Sequence, residues 1–416
     1  MNVRTIFVAV MTVPGLLGLT GMLTGCQSMP TQHQPKDGLE IVRFQETPLV
    51  GQTGLRLGGF SGFVFEGFRR LSGHYDFMAT TSRGPLLDVR KDSGEKNLRP
   101  FVEATYAPRW VTFSYNPKKG VVENVDQIIL KSKEGKALTG LPKMIGADET
   151  PIDKLGHRVA LDRYGIDPGG LAQDSDGSYW MCEQYRPSLL HFNSNGSLLQ
   201  RWVPNGLANG TGAPQLPIWY TRRQMNHGFS GVALDGDQVV AFLRSPLKND
   251  FDVTRLLSVD KTTGQPRAEY AYPFENSEEG RAFVDQIGDS INIGPGRFLV
   301  VEQNSAVDER GFHRVYEIDI HGASNLLSRN GDELSRSVLC SDGTLDSKEA
   351  ETCVKPVKKK LIADLVALGL HGFAKIEGLA VIDSQTLALV NDNEFDVKKT
   401  GAPTALFIVH LATPLR

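Results

Sequence analysis

Apolar positions along this chain fall into short runs of strand length, punctuated by Asp-Gly and Asn-Gly pairs that favour tight hairpins. One grouping recurs. Gly169-Gly170-Leu171-Ala172 leads to the turn Asp176-Gly177, then to Tyr179 through Glu183, Ser188 through Phe192, the turn Asn195-Gly196 and Ser197 through Val203. A second copy reads Ser230-Gly231-Val232-Ala233, Asp235-Gly236, Val239 to Arg244, Thr254 to Val259, Thr263-Gly264 and Ala268 to Tyr272. A third runs Asp289-Ser290-Ile291, Gly294-Pro295-Gly296, Phe298 to Glu302, His313 to Ile318 and Ala323 to Leu327. A fourth has Glu377-Gly378-Leu379-Ala380, Thr386 to Asp392 and Ala405 to Leu411. A divergent first copy starts at Ser61-Gly62-Phe63-Val64 and continues through Phe77 to Thr81, Trp110 to Tyr115 and Val121 to Leu130.

Four strands per unit, repeated at roughly 60 residues with insertions, predict an all-β fold of the β-propeller type, its blades set around a channel. Five blades are delimited, and Lys131 to Gly165, which fits no strand set, leaves room for a sixth. The last copy supplies three strands, so Leu39 to Arg43 is expected to close that blade from the N-terminal end. A two-sheet sandwich is the alternative, but it gives no reason for the repeat. An insertion is expected over about residues 329–374. Within it, Leu361, Ile362, Leu365, Val366 and Leu368 predict a short amphipathic helix over Lys358 to Gly369.

The first 25 residues carry Arg4, an apolar run from Ile6 to Leu23, and small residues before Cys26, the pattern of an export signal. Leu23-Thr24-Gly25-Cys26 resembles the lipobox of bacterial lipoproteins, which implies cleavage before Cys26 and its acylation; an ordinary secretory signal with a chance cysteine is the alternative. Acyl chains contribute about 0.8 kcal/mol per buried methylene, enough to hold a domain on a membrane. No later segment approaches the ~20 apolar residues of a bilayer span. The expected organisation is a signal at 1–25, a lipidated tether at 26–38 and a propeller at 39–416, in the cell envelope. Gln27 in place of an aspartate favours the outer membrane over the inner.

The formal charge of −3 over 416 residues offers no basic field for nucleic acid, and a monomer is expected. Of the four cysteines, Cys340 and Cys353 flank a polar loop and are expected to form a disulfide in an oxidising compartment, with free thiols as the alternative. Cys182 falls in an apolar strand and reads as buried and inert.

In each copy a polar position precedes the first-strand glycine, and another ends the second strand. Propeller geometry sends both sets toward the channel. The first set is Ser61, Gly169, Ser230, Asp289 and Glu377; the second is Ser82, Glu183, Arg244, Glu302 and Asp392. Converging carboxylates repel unless a cation, hydrogen bonds or protonation compensates. Oxygen donors favour calcium, so Glu183, Asp289, Glu302, Glu377 and Asp392 are its expected ligands, with purely structural pairing to arginines as the alternative. Glu183, Glu302 and Glu377 are the candidate catalytic acids. Arg83, Arg186 and Arg244 are the candidate substrate-binding groups, positioned to fork an anion or else to pair with rim acids. His227 joins the catalytic candidates as a general acid or metal ligand, or is a loop histidine with neither role. Ser61 and Ser230 lack the context of a nucleophile elbow, and no zinc or P-loop motif is present.

Gly59-Phe60-Ser61-Gly62, Ser82-Arg83-Gly84-Pro85, Asp167 to Leu171, Trp180 to Pro187, Asn226 to Gly231, Phe298 to Glu302, Lys375 to Leu379 and Asn391 to Phe395 resemble, in order, the phytase-like esterase propellers. The resemblance implies calcium-assisted phosphoester or ester hydrolysis at the channel, acting on a small anionic substrate. The family pattern has acids where this chain has Ser82, Gly169, Cys182 and Ser230, and a glycine at Arg186. A non-catalytic binding propeller and a lactonase-type propeller are the other readings.

Overall fold

Each repeat folds as an antiparallel sheet whose strands follow chain order from the axis outward, because hairpin turns leave consecutive strands adjacent. The computed structural model describes residues 37–92, 95–144, 147–207, 211–275, 284–308, 310–340, 353–399 and 401–416. All of these belong to the compact unit Pro35–Arg416. The signal, Cys26 and the tether up to residue 36 lie outside the described residues.

Blade 1 comprises Phe60–Arg69, His74–Thr81, Arg109–Asn116 and Val121–Ile129. Blade 2 has Pro168–Gln173, Tyr179–Glu183, Ser188–Phe192 and Leu198–Pro204, with an unforeseen fifth strand, Ala213–Leu216, running parallel on its edge. Blade 3 has Phe229–Asp235, Gln238–Leu243, Val253–Asp260 and Pro266–Pro273. Blade 4 has Gln286–Gly294, Arg297–Gln303, His313–Asp319 and Lys358–Asp364. Blade 5 has Ile376–Asp383, Thr386–Asn391 and Ala405–His410, closed by Gly38–Arg43. Leu39 pairs with Val409 and Arg43 with Ala405, so the N-terminal strand completes the last blade as the sequence predicts.

The ring has five blades. Lys131 to Gly165 is not a sixth. Its Thr150–Ile152 joins Arg90–Asp92 and Glu95–Pro100 in a small separate sheet. Five apolar clusters fill the gaps between neighbouring blades, for example Phe60, Phe63 and Phe113 against Val390 and Leu406, and Trp180 and Trp202 against Phe229 and Leu257. Each such large side chain contributes about 1.5–3 kcal/mol when fully buried.

The helix expected over Lys358 to Gly369 is instead the outer strand of blade 4, with Val315 opposite Ala363 and Ile318 opposite Lys359. The edge of His313–Asp319 has backbone groups that need partners, and this segment supplies them. Exposed Lys358 and Lys360 then blunt the new edge against further pairing. Ala323 to Leu327, expected to be that strand, instead packs beside blade 3, where the Leu326 amide donates to the Glu269 carbonyl. Leu326, with Leu334 and Val354 of the insertion, covers Val253 and Ala271, and Cys340 and Cys353 are disulfide-bonded.

The axis is narrow, and the repeated glycine reflects it. A side chain on Gly62 would strike Leu171, one on Gly170 would strike Val232, and one on Gly378 would strike Ser61. Strand pairing places Gly62, Gly170, Gly231 and Gly378 at one equivalent level, and blade 4 has Asp289 there. Its carboxylate fills the space the glycines leave. Asp289 Oδ2 accepts from the Phe63 amide at 3.0 Å and Oδ1 from its neighbour Ser290 at 2.8 Å. The Leu171 and Val232 amides donate to it as well, so it ties together the inner strands of blades 1 to 4.

Candidate active site at the propeller mouth

In four of the five blades the residue after the second strand faces the mouth. Ser82, Gln184, Arg244 and Asp392 hold this position in blades 1, 2, 3 and 5, one place beyond Thr81, Glu183, Leu243 and Asn391. Side chains alternate along a strand, so a one-residue offset changes the face. That offset corrects two expectations. Glu183 and Glu302 do not line the mouth. Glu183 is fully buried against Lys143 Nζ, and Glu302 accepts from Tyr272 Oη at 2.6 Å and from Lys359 Nζ. Asp289 is likewise committed to backbone amides below the mouth. Of the five expected metal ligands, only Glu377 and Asp392 share the cavity.

That cavity measures about 140 Å3 and is lined by Ser61, Arg83, Arg99, Asp167, Arg244, Lys375, Glu377, Asp392 and Glu394, among others. Arg99 comes from the small sheet, in Glu95–Pro100. Arg244 is held on both sides: Nε donates to Gln286 Oε1 at 2.9 Å, Nη1 to Gln184 Oε1 at 2.8 Å and Nη2 to Glu377 Oε1 at 3.0 Å. Arg83 places Nη1 2.8 Å from Glu149 Oε2 and Nε 3.4 Å from Asp167 Oδ2. Arg99 Nε donates to Glu149 Oε1 at 2.7 Å. Lys375 Nζ donates to Glu394 Oε1 at 2.6 Å and lies 3.8 Å from Asp392 Oδ2.

These surroundings separate the carboxyls. Burial raises the Asp392 carboxyl to about 6, with Glu394 and Glu377 adding to the effect and Lys375 opposing it. Burial also raises Asp167, against the pull of Arg83 and Arg244. Lys375 holds Glu394 below its ordinary value despite partial burial, and Arg83 with Arg99 does the same for the buried Glu149. Glu377 keeps one oxygen on Arg244.

His227 does not line that cavity but lies half-buried near Arg244, Lys375 and Arg83. Its Nδ1 is 2.7 Å from Ser245 Oγ, which donates to the Asp285 carbonyl at 2.8 Å, so Nδ1 carries the proton and Nε2 is bare. Burial and the cations Arg244, Lys375 and Arg83 lower its pKa to about 3, so the ring is neutral at physiological pH. Arg186 is not at the mouth: it is buried and donates from Nη1 to the Leu207 carbonyl at 2.9 Å.

The donor set does not fit calcium. Glu377, Asp392, Asp167 and Glu394 each face a cationic side chain, whereas a calcium site needs six to eight oxygens turned inward. Among the described residues no three His, Cys, Asp or Glu side chains converge as a metal-binding group.

A family model described as phytase-like, "esterase-like activity of phytase", matches residues 99–395. The chain belongs to the phytase-like esterase family. An uncharacterized secreted protein of Arthroderma benhamiae is 26% identical over 330 residues, covering 65% of this chain and 64% of that protein's length. Among solved structures, the PQQ-bound aldose sugar dehydrogenase of Streptomyces coelicolor matches 90% of this chain and 99% of its own at 12% identity, with a TM-score of 0.35. Virginiamycin B lyase of Staphylococcus aureus matches 90% and 100% at 12% identity and a TM-score of 0.32. These two likenesses carry no weight for the chemistry.

The family match ends at Phe395 and so covers every mouth residue named here except Ser61, Ser82 and Arg83. Sequence reasoning missed Arg99, Glu149, Asp167, Lys375 and Glu394 as members of the site. Asp167 and Lys375 stand directly beside repeat elements, before Pro168–Gln173 and Ile376–Asp383. That position is the signal that points to them. Glu149 lies in the segment that fitted no repeat.

Proposed function

We propose that this chain is an envelope enzyme that hydrolyses a small anionic ester at the propeller mouth, with Asp392 as general acid and Glu377 as general base. The observation that carries the reading is that burial raises the Asp392 carboxyl to about 6 while Glu377, in the same cavity, is bonded to Arg244. Two carboxyls in unlike surroundings can divide the acid and base roles. Asp392, raised to about 6, holds a proton to give; Glu377, paired to Arg244, has its second oxygen available to take one.

In the reaction, water attacks the ester centre as Glu377 accepts its proton. The bond to the leaving oxygen breaks, and Asp392 delivers the proton that turns it into an alcohol. Arg83, Arg99, Arg244 and Lys375 set the charge. They stand among the acids Asp88, Asp167, Glu377, Asp392 and Glu394 of the same lining and are the groups that take up the negative charge of the substrate. At about 140 Å3 the cavity accommodates a head group such as phosphate or a carboxylate ester, while the rest of the substrate stays outside.

Membership of a family described by esterase-like activity supports this reading. A secreted relative and the export pattern of residues 1–25 support an envelope address, with the anchor at Cys26 and the outer membrane as its site. Among the described residues no helix is long and apolar enough to cross a membrane.

Arg83→Gln tests the anion-holding part. Loss of a charge-assisted contact worth about 1.5–3 kcal/mol is expected to raise KM for 4-nitrophenyl phosphate or the preferred nitrophenyl ester by ten-fold or more, with kcat changed by less than about three-fold. An unchanged KM would remove Arg83 from the substrate site.

A further inference from the structure

Behind the wall of the mouth, Lys143, Arg186, Arg201 and Arg223 are all buried, with exposures of 5%, 1%, 3% and 4%. The carboxylates bonded within this group are Glu183, on Lys143, and Asp148, whose Oδ1 accepts from Arg223 Nη2 at 2.6 Å. Asp162 and Tyr164 lie at its edge beside Arg201. Arg186 spends Nη1 on the Leu207 carbonyl, and its Nε and Nη2 have no partner. Arg201 gives Nη2 to the Tyr164 carbonyl at 3.2 Å, and its Nε and Nη1 have none.

An uncompensated buried charge costs several kcal/mol, and a guanidinium cannot relieve it by losing its proton. Lysine can. Burial, reinforced by Arg201 and Arg186, lowers Lys143 to about 7 in spite of Glu183. Arg186 likewise adds to the burial that lowers Arg201, with Glu183 opposing both. Four unpartnered donor atoms therefore sit on two neighbouring fixed cations, in a cluster short of negative charge.

We propose that the unpartnered edges of Arg186 and Arg201 hold a small inorganic anion, a halide of chloride size, as a fixed part of the folded protein. This site is separate from the mouth and stands independently of the hydrolytic reading. Glu183 immediately precedes Gln184, which lines the mouth and holds Arg244, so the bound ion braces that wall from behind.

The test is thermal unfolding of the intact mature domain in sodium chloride against sodium gluconate at equal ionic strength. Chloride is expected to raise Tm saturably by about 2–4 °C or more over gluconate, and Arg186→Met to abolish the difference while leaving Tm in gluconate as high as the wild type or higher. Equal Tm in the two salts, an equal rise with both, or a rise with phosphate but not chloride overturns the proposal. Should Arg186→Met fail to fold, bromide-soaked crystals of the wild type decide: an anomalous peak against Arg186 Nε or Nη2 supports the site, and its absence refutes it.

Discussion

Replacing Asp289 by alanine is expected to abolish or nearly abolish stable folding. Its carboxylate accepts amide protons from Phe63, Leu171, Val232 and Ser290, which lie on four different inner strands. Each buried donor left unmatched costs about 1–3 kcal/mol, against a total stability of about 5–15 kcal/mol for a typical domain. No neighbouring side chain can take over, because Gly62, Gly170, Gly231 and Gly378 are its counterparts in the other blades. Asp289→Asn keeps the shape and one oxygen, and should lose less. Urea unfolding followed by circular dichroism reads both; an alanine variant within about 1 kcal/mol of the wild type would show that the axial carboxylate does not hold the ring together.

Asp392→Asn is expected to lower kcat by about 10²–10⁴-fold, the usual contribution of a positioned proton donor, with the fold retained. The amide matches the carboxyl in shape, and Lys375 still pairs with Glu394. Glu377→Gln should produce a loss of similar order through the base. The two losses should not multiply in the double variant, since acid and base serve one transition state. Steady-state hydrolysis by purified variants, each checked for wild-type Tm, measures this; kcat within three-fold of the wild type for either would take that residue out of the chemistry.

The sequence carried the architecture because the repeat reflects physical necessity. A narrow axis requires glycine at one level of four of the five inner strands, and tight hairpins favour Asn-Gly or Asp-Gly, so Gly62, Gly170, Gly231 and Gly378 with the turns that follow them mark the blades. Closure by Gly38–Arg43 followed from a blade one strand short. Where the pattern misled, the cause was register. In blade 4 the pair Asp289-Ser290 resembles the Ser-Gly and Glu-Gly pairs of the other copies, but strand pairing puts Gly288 level with Ser61 and Glu377 and Asp289 level with the glycines. The same one-residue ambiguity put Glu183 at the mouth in place of Gln184, and period-2 alternation turned that into the wrong face, while Glu302 is turned to Tyr272 and Lys359.

Lys358–Asp364 misled for a different reason. A run that mixes lysines with apolar residues satisfies both helix and strand spacing, and only the unpaired edge of His313–Asp319 decides between them. The contributions of Arg99 and Glu149 were beyond local reading altogether, because they reach the mouth through a small sheet formed by segments about fifty residues apart.

The most direct test of the acid–base account is the pH dependence of kcat/KM between about pH 4 and 8 for the wild type and Asp392→Asn. Burial and the neighbouring Glu394 and Glu377 raise the Asp392 carboxyl to about 6, and the proton donor works only while it holds that proton. The wild-type rate should therefore fall as pH rises through about 6, approaching ten-fold per unit above it, and the residual rate of Asp392→Asn should lack that descending limb. A wild-type rate that stays flat or climbs from pH 5 to 8, or an unchanged descending limb in Asp392→Asn, would contradict the assignment of Asp392 as the acid.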